Sequence, residues 1–160
     1  MPILIERVGD DEESVKALFE FILPMSREVA MSPVDIPNAL ANCYRTIADG
    51  STFRAVEEGK IVGSLGLAHN AYWYGDGEDF FLIDRWLYVD PERRFGDVGV
   101  KLLRAGRDEG KRLLKNVFIM VANPDRRQKQ NEAGIYATVA GFTPIAHLLK
   151  LYQAPVAGAA

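Results

Sequence analysis

The run DFFLIDRWLYV, residues 79–89, constrains the fold more than any other part of the chain. Its aromatic and β-branched side chains are typical of a buried strand, and its length predicts a central place in a sheet. The chain then turns through RRFGDVG, residues 93–99, and resumes as a basic helix with leucines at helical spacing. Gly106 and Gly110 inside this helix indicate that it packs closely on a sheet. The sequence therefore predicts a strand, a glycine-containing turn and a helix in direct succession.

Apolar runs predict further elements on both sides of this unit. Before it we expect a strand in 2–8, two helices, and an antiparallel strand pair in 51–70 whose turn uses the positive φ available to Gly59. After it we expect a strand in 116–122, a helix in 128–142 that ends at Gly141, and a last strand in 142–153. This order is typical of an α/β protein with a mixed sheet flanked by helices.

The two early helices have recognisable ends. Asp10 or Asp11 is expected to cap the first helix and Pro24 to end it. Asp35 is expected to cap the second helix, which stops at Gly50. The side chains predicted to share one apolar side of the second helix are Ile36, Leu40, Tyr44 and Ile47.

Composition limits the classes of protein to consider. A length of 160 residues predicts one domain, over 1–153, with a small-residue tail at 154–160. The net charge of -3 argues against nucleic acid as a partner, and no apolar run is long enough to span a bilayer. Cys43 is the single cysteine, so neither an internal disulfide nor a cysteine metal cluster can form. We expect a soluble, cytoplasmic protein without a metal or a membrane partner.

The turn before the third helix is a candidate anion site. A helix begins with backbone N–H groups that lack partners and with the positive end of its dipole, and glycines allow a phosphate to approach closely. Arg94 at the mouth of the turn can add a charge-assisted contact. The glycine-lysine-serine pattern of nucleotide-hydrolysing loops is missing from the sequence, which argues against nucleotide hydrolysis. An ordinary connection without a ligand is the alternative.

The layout as a whole, and WLYVDPERRFGDVGVKLL at 86–103 in particular, resembles the GNAT superfamily of acetyl-CoA-dependent N-acetyltransferases. The resemblance covers residues 2 to about 152. The signature of that family is arginine or glutamine, two residues, glycine, one residue, then glycine or alanine. Aligned on Arg94 and Gly99, this chain has Asp97 at the first glycine position and Gly96 one residue earlier. It is similar to the variant form found in phage and bacterial members.

The resemblance implies a fold and a cofactor. The fold is a mixed, mostly antiparallel sheet of six to seven strands flanked by about four helices, and the cofactor is acetyl-CoA as acyl donor. The backbone of β-type residues 87–89 would hold the pantetheine arm, and the amides of 95–100 would hold the pyrophosphate. The implied cofactor-binding residues are Leu87, Tyr88, Val89, Arg94, Phe95, Gly96, Asp97, Val98, Gly99, Val100, Gln130, Asn131 and Ala133.

Two residues are candidates for proton transfer. Asp84 lies inside the apolar strand, where burial would raise its pKa towards a range useful to a general base. The family commonly uses a tyrosine on the last helix as the acid, and that position here is Ala137, with Tyr136 adjacent. One residue rotates a helical side chain by about 100°, so Tyr136 is an acid only if the helix is irregular, and otherwise packs in the core. A salt bridge or a solvent-facing edge position is the alternative for Asp84.

The loop AYWYGDGEDFF, residues 71–81, is the candidate acceptor site. Aromatic rings can stack on a cationic amine, and the neighbouring carboxylates can attract it. The predicted substrate-binding residues are Tyr72, Trp73, Tyr74, Glu78 and His69. A contact in a homodimer, or a partly buried hairpin, is the alternative use of this loop.

These observations predict an N-acetyltransferase that moves an acetyl group from acetyl-CoA to a primary amine of a small molecule, peptide or protein. A CoA-binding regulatory module without efficient catalysis is one alternative. An interaction protein that uses the aromatic residues 72–74 is the other.

Overall fold

A computed structural model of the chain describes residues 2–29, 33–72, 74–75, 79–94, 96–120 and 138–143. Three α-helices lie in these ranges: α1 (Glu12–Val29), α2 (Ile36–Asp49) and α3 (Val98–Leu113). The strands are β1 (Leu4–Arg7), β2 (Ser51–Glu57), β3 (Lys60–Ala71), β4 (Phe80–Val89) and β5 (Val117–Phe118). A short 3₁₀ turn at Pro91–Arg93 connects β4 to the segment before α3.

The strands form one sheet in the order β1-β2-β3-β4-β5. Strands β1 to β4 are antiparallel to one another in succession, and β5 is parallel to β4. The α/β class and the mixed, mostly antiparallel sheet are therefore confirmed. The described residues hold five strands and three helices, so the predicted six to seven strands and four helices are not reached within them. Most of the predicted last helix and all but two residues of the last strand lie outside the described ranges.

Helix α1 begins where the sequence predicted and ends later. The Ser14 N–H donates to Asp11 Oδ1 at 2.8 Å, which confirms one of the two candidate caps. The prediction that Pro24 ends the helix is wrong, because α1 continues through it to Val29. Proline removes one intrahelical hydrogen bond. Burial of an apolar face from Val15 to Ile22 holds the helix in place, so that loss does not terminate it.

Helix α2 has the predicted ends but a different buried face. The Asn38 N–H donates to Asp35 Oδ1 at 3.1 Å, and Gly50 follows the last turn. The buried side chains of α2 are Cys43, Thr46 and Ile47. Three members of the predicted apolar side are instead 39 to 50% exposed, namely Ile36, Leu40 and Tyr44. Small and polar side chains let α2 approach the sheet closely, and this rotates its larger apolar residues outward.

The two faces of the sheet bury separate clusters. Helices α1 and α2 cover one face, where Leu18 and Phe19 pack near Trp86 and Tyr88 of β4. Helix α3 covers the other face, where Val98 and Leu102 pack on residues such as Leu65, Leu67 and Leu82. The sequence had indicated close packing of α3 through Gly106, and a Cβ there would lie 2.8 Å from Leu65 Cδ2. Any larger residue at position 106 would therefore force the Leu65 side chain to shift.

An ionic cluster fixes α3 to the edge of the sheet. The buried Glu109 carboxylate of α3 accepts hydrogen bonds from Arg7 of β1, from Ser51 of β2 at 2.7 Å and from Arg112. Hydrogen bonds from Arg112 and Arg7 lower the pKa of Glu109 to about 2. The cluster therefore sets the position of α3, and with it the position of the amino end of that helix.

The described segment 138–143 also packs on α3. Gly141 has a φ of 95°, as expected for a glycine that ends a helix. Arg107 of α3 donates through Nη1 to the Ala140 carbonyl at 3.0 Å, and Ala140 is fully buried. This segment forms a small cluster with Leu103 and, at its margin, with Leu87 of β4.

Candidate functional site

Strand β4 leaves β5 halfway along its length. The two strands pair at Leu82 with Val117 and at Ile83 with Phe118, and the Met120 N–H then donates to Asp84 Oδ1 at 2.7 Å. Beyond Asp84 no strand among the described residues pairs with this edge of β4. Within the described part of the chain, the far half of β4 therefore has an open edge, where its backbone groups face no other strand.

Leu87 and Val89 place their backbone polar groups on that open edge. The Asp90 N–H donates to the Val62 carbonyl of β3 at 3.0 Å, so residue 90 faces β3. Because backbone directions alternate along a strand, residues 87 and 89 face the other way. The Arg94 Nε donates to the Val89 carbonyl at 3.2 Å, which agrees with this direction.

A β-bulge interrupts β4 at Arg85. Asp84 pairs with Leu67 and Trp86 with Gly66, so the register shifts and Arg85 is the extra residue. Bulges turn side chains away from the regular alternation. Here the bulge leaves Arg85 and Trp86 lining the same cavity under α1 and α2.

The amino end of α3 has no side-chain cap. Asp97 precedes the helix, but its side chain makes no capping hydrogen bond. Its carboxylate pairs with the Lys101 ammonium at 2.7 Å instead, and this hydrogen bond lowers the pKa of Asp97. The first helical bond runs from the Lys101 N–H to the Asp97 carbonyl, which leaves the amides of 98–100 without helical partners.

Gly96 and Gly99 lie at this helix end without a structural need for glycine. Neither has a positive φ. A Cβ at Gly99 would meet Val89 Cγ2 at 3.8 Å, and one at Gly96 would meet the Arg93 carbonyl at 3.4 Å. By contrast, a Cβ at Gly63 would lie 2.7 Å from Val98 Cγ1. Gly96 and Gly99 thus keep the space in front of the helix amides open.

The two arginines before α3 have different surroundings. Arg94 bonds to the Val89 carbonyl, and its guanidinium carbon lies 5.6 Å from the centre of the Tyr88 ring. Arg93 donates through Nε to Glu57 at 2.8 Å, at the end of the β2–β3 hairpin. Arg94 therefore belongs to the edge of β4, whereas Arg93 is held by a carboxylate.

Asp84 is buried at the point where β4 and β5 separate. Its residue is 8% exposed, and burial raises the pKa of its carboxyl, with the Met120 N–H acting in the opposite direction. The predicted rise in pKa is confirmed in direction. A raised pKa means a higher proton affinity, which is the property that a general base needs.

A cavity of about 410 Å³ lies between α1, α2 and the β3–β4 pair. Its apolar wall includes Phe19, Ile22 and Trp86. The charged residues Arg45, Asp49 and Arg85 also line it. Sequence reasoning missed these three as site residues, although a cation at position 85 inside an apolar strand was a usable signal.

The predicted acceptor residues have other surroundings. Tyr72 packs against Phe81 with ring centres 4.8 Å apart, and its hydroxyl accepts from the Asn116 amide at 3.1 Å. Tyr74 stacks on Tyr72 and is 71% exposed. Among the described residues that line the cavity, neither tyrosine appears. Their role as substrate-binding residues stays a prediction.

His69 lies on the rim of the same cavity. Its ring stacks on Phe80 with centres 4.4 Å apart, and burial lowers its pKa, while Glu109 and Asp49 oppose that shift. Seven predicted site residues lie outside the described ranges and stay predictions: Trp73, Glu78, Phe95, Gln130, Asn131, Ala133 and Tyr136.

The fold is that of acetyltransferases. A solved aminoglycoside acetyltransferase from an uncultured soil metagenomic sample, in complex with sisomicin, matches with a TM-score of 0.68 and 19% identity, over 95% of each chain. The fold that the resemblance implied is thereby confirmed. No protein-family model and no curated protein matches the sequence.

Two further solved structures carry the same likeness. A predicted acetyltransferase from Clostridium acetobutylicum, solved with acetyl-CoA, matches with a TM-score of 0.66 and 13% identity, over 94% of this chain and 96% of the other. AAC(6')-Iy in complex with the bisubstrate analog CoA-S-monomethyl-acetylneamine matches with a TM-score of 0.67 and 14% identity, over 96% of this chain and 99% of the other.

None of the helices α1, α2 and α3 has the length and the apolar composition of a membrane-spanning helix.

Proposed function

We propose that this chain is an N-acetyltransferase that takes an acetyl group from acetyl-CoA and transfers it to a primary amine of a small molecule, peptide or protein. One observation carries the proposal. The amino end of α3 has no side-chain cap, and among the described residues nothing packs closely enough against Gly96 or Gly99 to require glycine there. Such a helix end is suited to a diphosphate.

Two groups of described residues would bind the two parts of acetyl-CoA, the diphosphate and the pantetheine arm. The amides of Val98, Gly99 and Val100 would bind the diphosphate, with Arg94 at the side of the site. The backbone of Leu87 and Val89, on the open edge of β4, would hydrogen-bond the pantetheine arm. Two proteins of similar fold were solved with acetyl-CoA and with a CoA bisubstrate analog, which supports acetyl-CoA as the donor.

The acceptor amine would enter from the cavity that Arg85 and Trp86 line. Bound acetyl-CoA supplies an activated acetyl group: the amine nitrogen gains the acetyl group and loses a proton, and the sulfur gains a proton. Asp84 precedes the bulge and is not among the described residues that line the cavity, so it would take the amine proton through a water. Its raised pKa favours that role.

Titration of acetyl-CoA by calorimetry tests the donor site. Gly99→Glu places a carboxylate in the first helical turn, where it suits the helix dipole but repels a diphosphate, so affinity should fall about 10-fold or more. Gly75→Glu is the matched control, because a Cβ at this exposed glycine would meet nothing nearer than 3.5 Å. Equal acetyl-CoA affinity of both variants and the unmodified chain would refute the donor site.

A further inference from the structure

Among the described residues that line it, the cavity beside β4 has an excess of positive charge. Arg45 and Arg85 contribute two guanidinium groups, and Asp49 contributes one carboxylate. His69 is left out of this count, because burial lowers its pKa and so favours the neutral ring. A ligand that fills this cavity therefore meets a net attraction for anions.

Arg85 is the cation best placed to bind a ligand. It is exposed and makes no hydrogen bond or ion pair with any residue in the described part of the chain. The bulge fixes its backbone, and its neighbour Trp86 is anchored by a 2.9 Å bond from Nε1 to Ser64 Oγ. An arginine that lines a cavity from a strand, and that pairs with no described side chain, is suited to bind a carboxylate or phosphate with two hydrogen bonds.

Arg45 completes the charged side of the cavity from α2. Its Nη1 lies 3.4 Å from Asn42 Oδ1, a long contact that leaves the guanidinium available for a stronger acceptor. Polycationic acceptors fit this lining poorly, because their ammonium groups would face two guanidinium groups against the one carboxylate of Asp49 in a space of about 410 Å³. The lining thus differs from what an aminoglycoside requires.

We propose that the acceptor is an amine that also carries an anionic group, a carboxylate or a phosphate, and that Arg85, assisted by Arg45, binds this group. The inference rests on the proposed function, since it takes the cavity as the acceptor site. Arg85 then acts as a specificity-determining residue. It selects amines by the charge near the amino group.

Matched pairs of amines test this inference. Phenylalanine and 2-phenylethylamine differ by a carboxylate, O-phosphoethanolamine and ethanolamine differ by a phosphate, and sisomicin represents a polycation. Binding of each compound to the CoA-saturated protein is measured by calorimetry, and acetyl transfer is followed separately by thiol release. The variants are Arg85→Gln and Arg45→Gln. Arg104→Gln is the control, because it removes an exposed arginine of α3 that does not line the cavity.

The anionic member of at least one pair should bind about 10- to 100-fold more tightly than its neutral partner, and Arg85→Gln should abolish most of that difference. Arg104→Gln should preserve it. The pair that shows the difference identifies the anion as a carboxylate or a phosphate. Equal binding within both pairs, tighter binding of sisomicin, or a preference that survives in Arg85→Gln would overturn the inference. Preferential binding without thiol release would uphold it and refute the proposed acetyl transfer instead.

Discussion

The Asp84 carboxylate accepts a 2.7 Å hydrogen bond from the backbone N–H of Met120, at the point where β4 and β5 stop pairing. One oxygen of this carboxylate thus connects β4 to the segment that follows β5, at the start of the open edge. The same residue is proposed as the base, so its structural and chemical contributions need to be separated.

Asp84→Asn separates them. The asparagine oxygen can still accept from Met120, but the amide cannot take a proton, so kcat should fall about 100-fold while the fold persists. Burial raises the pKa of Asp84, so the ionised carboxylate weakens the folded state at pH values above its ordinary 3.8. The variant should therefore melt at a higher temperature than the unmodified protein at pH 7, and this gain should vanish as the pH falls below that value. Unchanged kcat would remove Asp84 from the mechanism.

Arg94→Ala should weaken acetyl-CoA binding by about 1.5 to 3 kcal/mol, the typical loss for a charge-assisted hydrogen bond. Arg93→Ala is the natural control, because Glu57 holds that neighbouring guanidinium at 2.8 Å. Calorimetric titration compares the two variants. Equal losses in both would mean that only the summed charge of the turn matters.

Asp97 and Lys101 should have opposite effects on donor binding. The Asp97 carboxylate lies beside the helix amides that are proposed to bind the diphosphate, and Lys101 neutralises it at 2.7 Å. Asp97→Ser should tighten acetyl-CoA binding several-fold, whereas Lys101→Met should weaken it by exposing the carboxylate. Both effects should shrink at high salt. Weaker binding in Asp97→Ser would show that the aspartate contacts the ligand favourably.

Glu109→Gln should destabilise the protein by about 2 to 3 kcal/mol, because the buried carboxylate accepts five hydrogen bonds. The loss stays this small because its two arginine partners are about half exposed to solvent. Its folded pKa of about 2 lies below the ordinary 4.5, so the stabilisation is complete above 4.5 and is lost as pH falls towards 2. Urea unfolding at several pH values measures this. Glu6→Gln, which removes a surface ion pair with Arg54, should cost less than about 1 kcal/mol at all pH values.

The sequence predicted those features that depend on local chemistry. The helix cap at Asp35, the hairpin turn at Gly59 with its φ of 76°, and the close approach at Gly106 each follow from one residue and its neighbours. The open edge of β4 was expected only through the family resemblance. It depends on which strands pair, and strand pairing is a property of the whole chain.

The features that sequence reasoning missed depend on tertiary contacts. Whether Leu40 or Cys43 faces the core is decided by how closely α2 approaches the sheet, and the apolar spacing of α2 allowed both. Pro24 lies within α1 because burial of neighbouring side chains outweighs one lost hydrogen bond. Arg85 lines a cavity because a bulge shifts the register between Gly66 and Leu67, and a bulge has no strong mark in the sequence.

Hydrogen exchange of single amides with and without acetyl-CoA tests the central claim most directly. In the free protein the amides of Val98, Gly99 and Val100 have no helical partner and should exchange quickly. Bound acetyl-CoA should slow exchange at these amides and at Leu87 or Val89, more than elsewhere in the described chain. Tight binding that leaves exchange at the amino end of α3 unchanged would contradict the account.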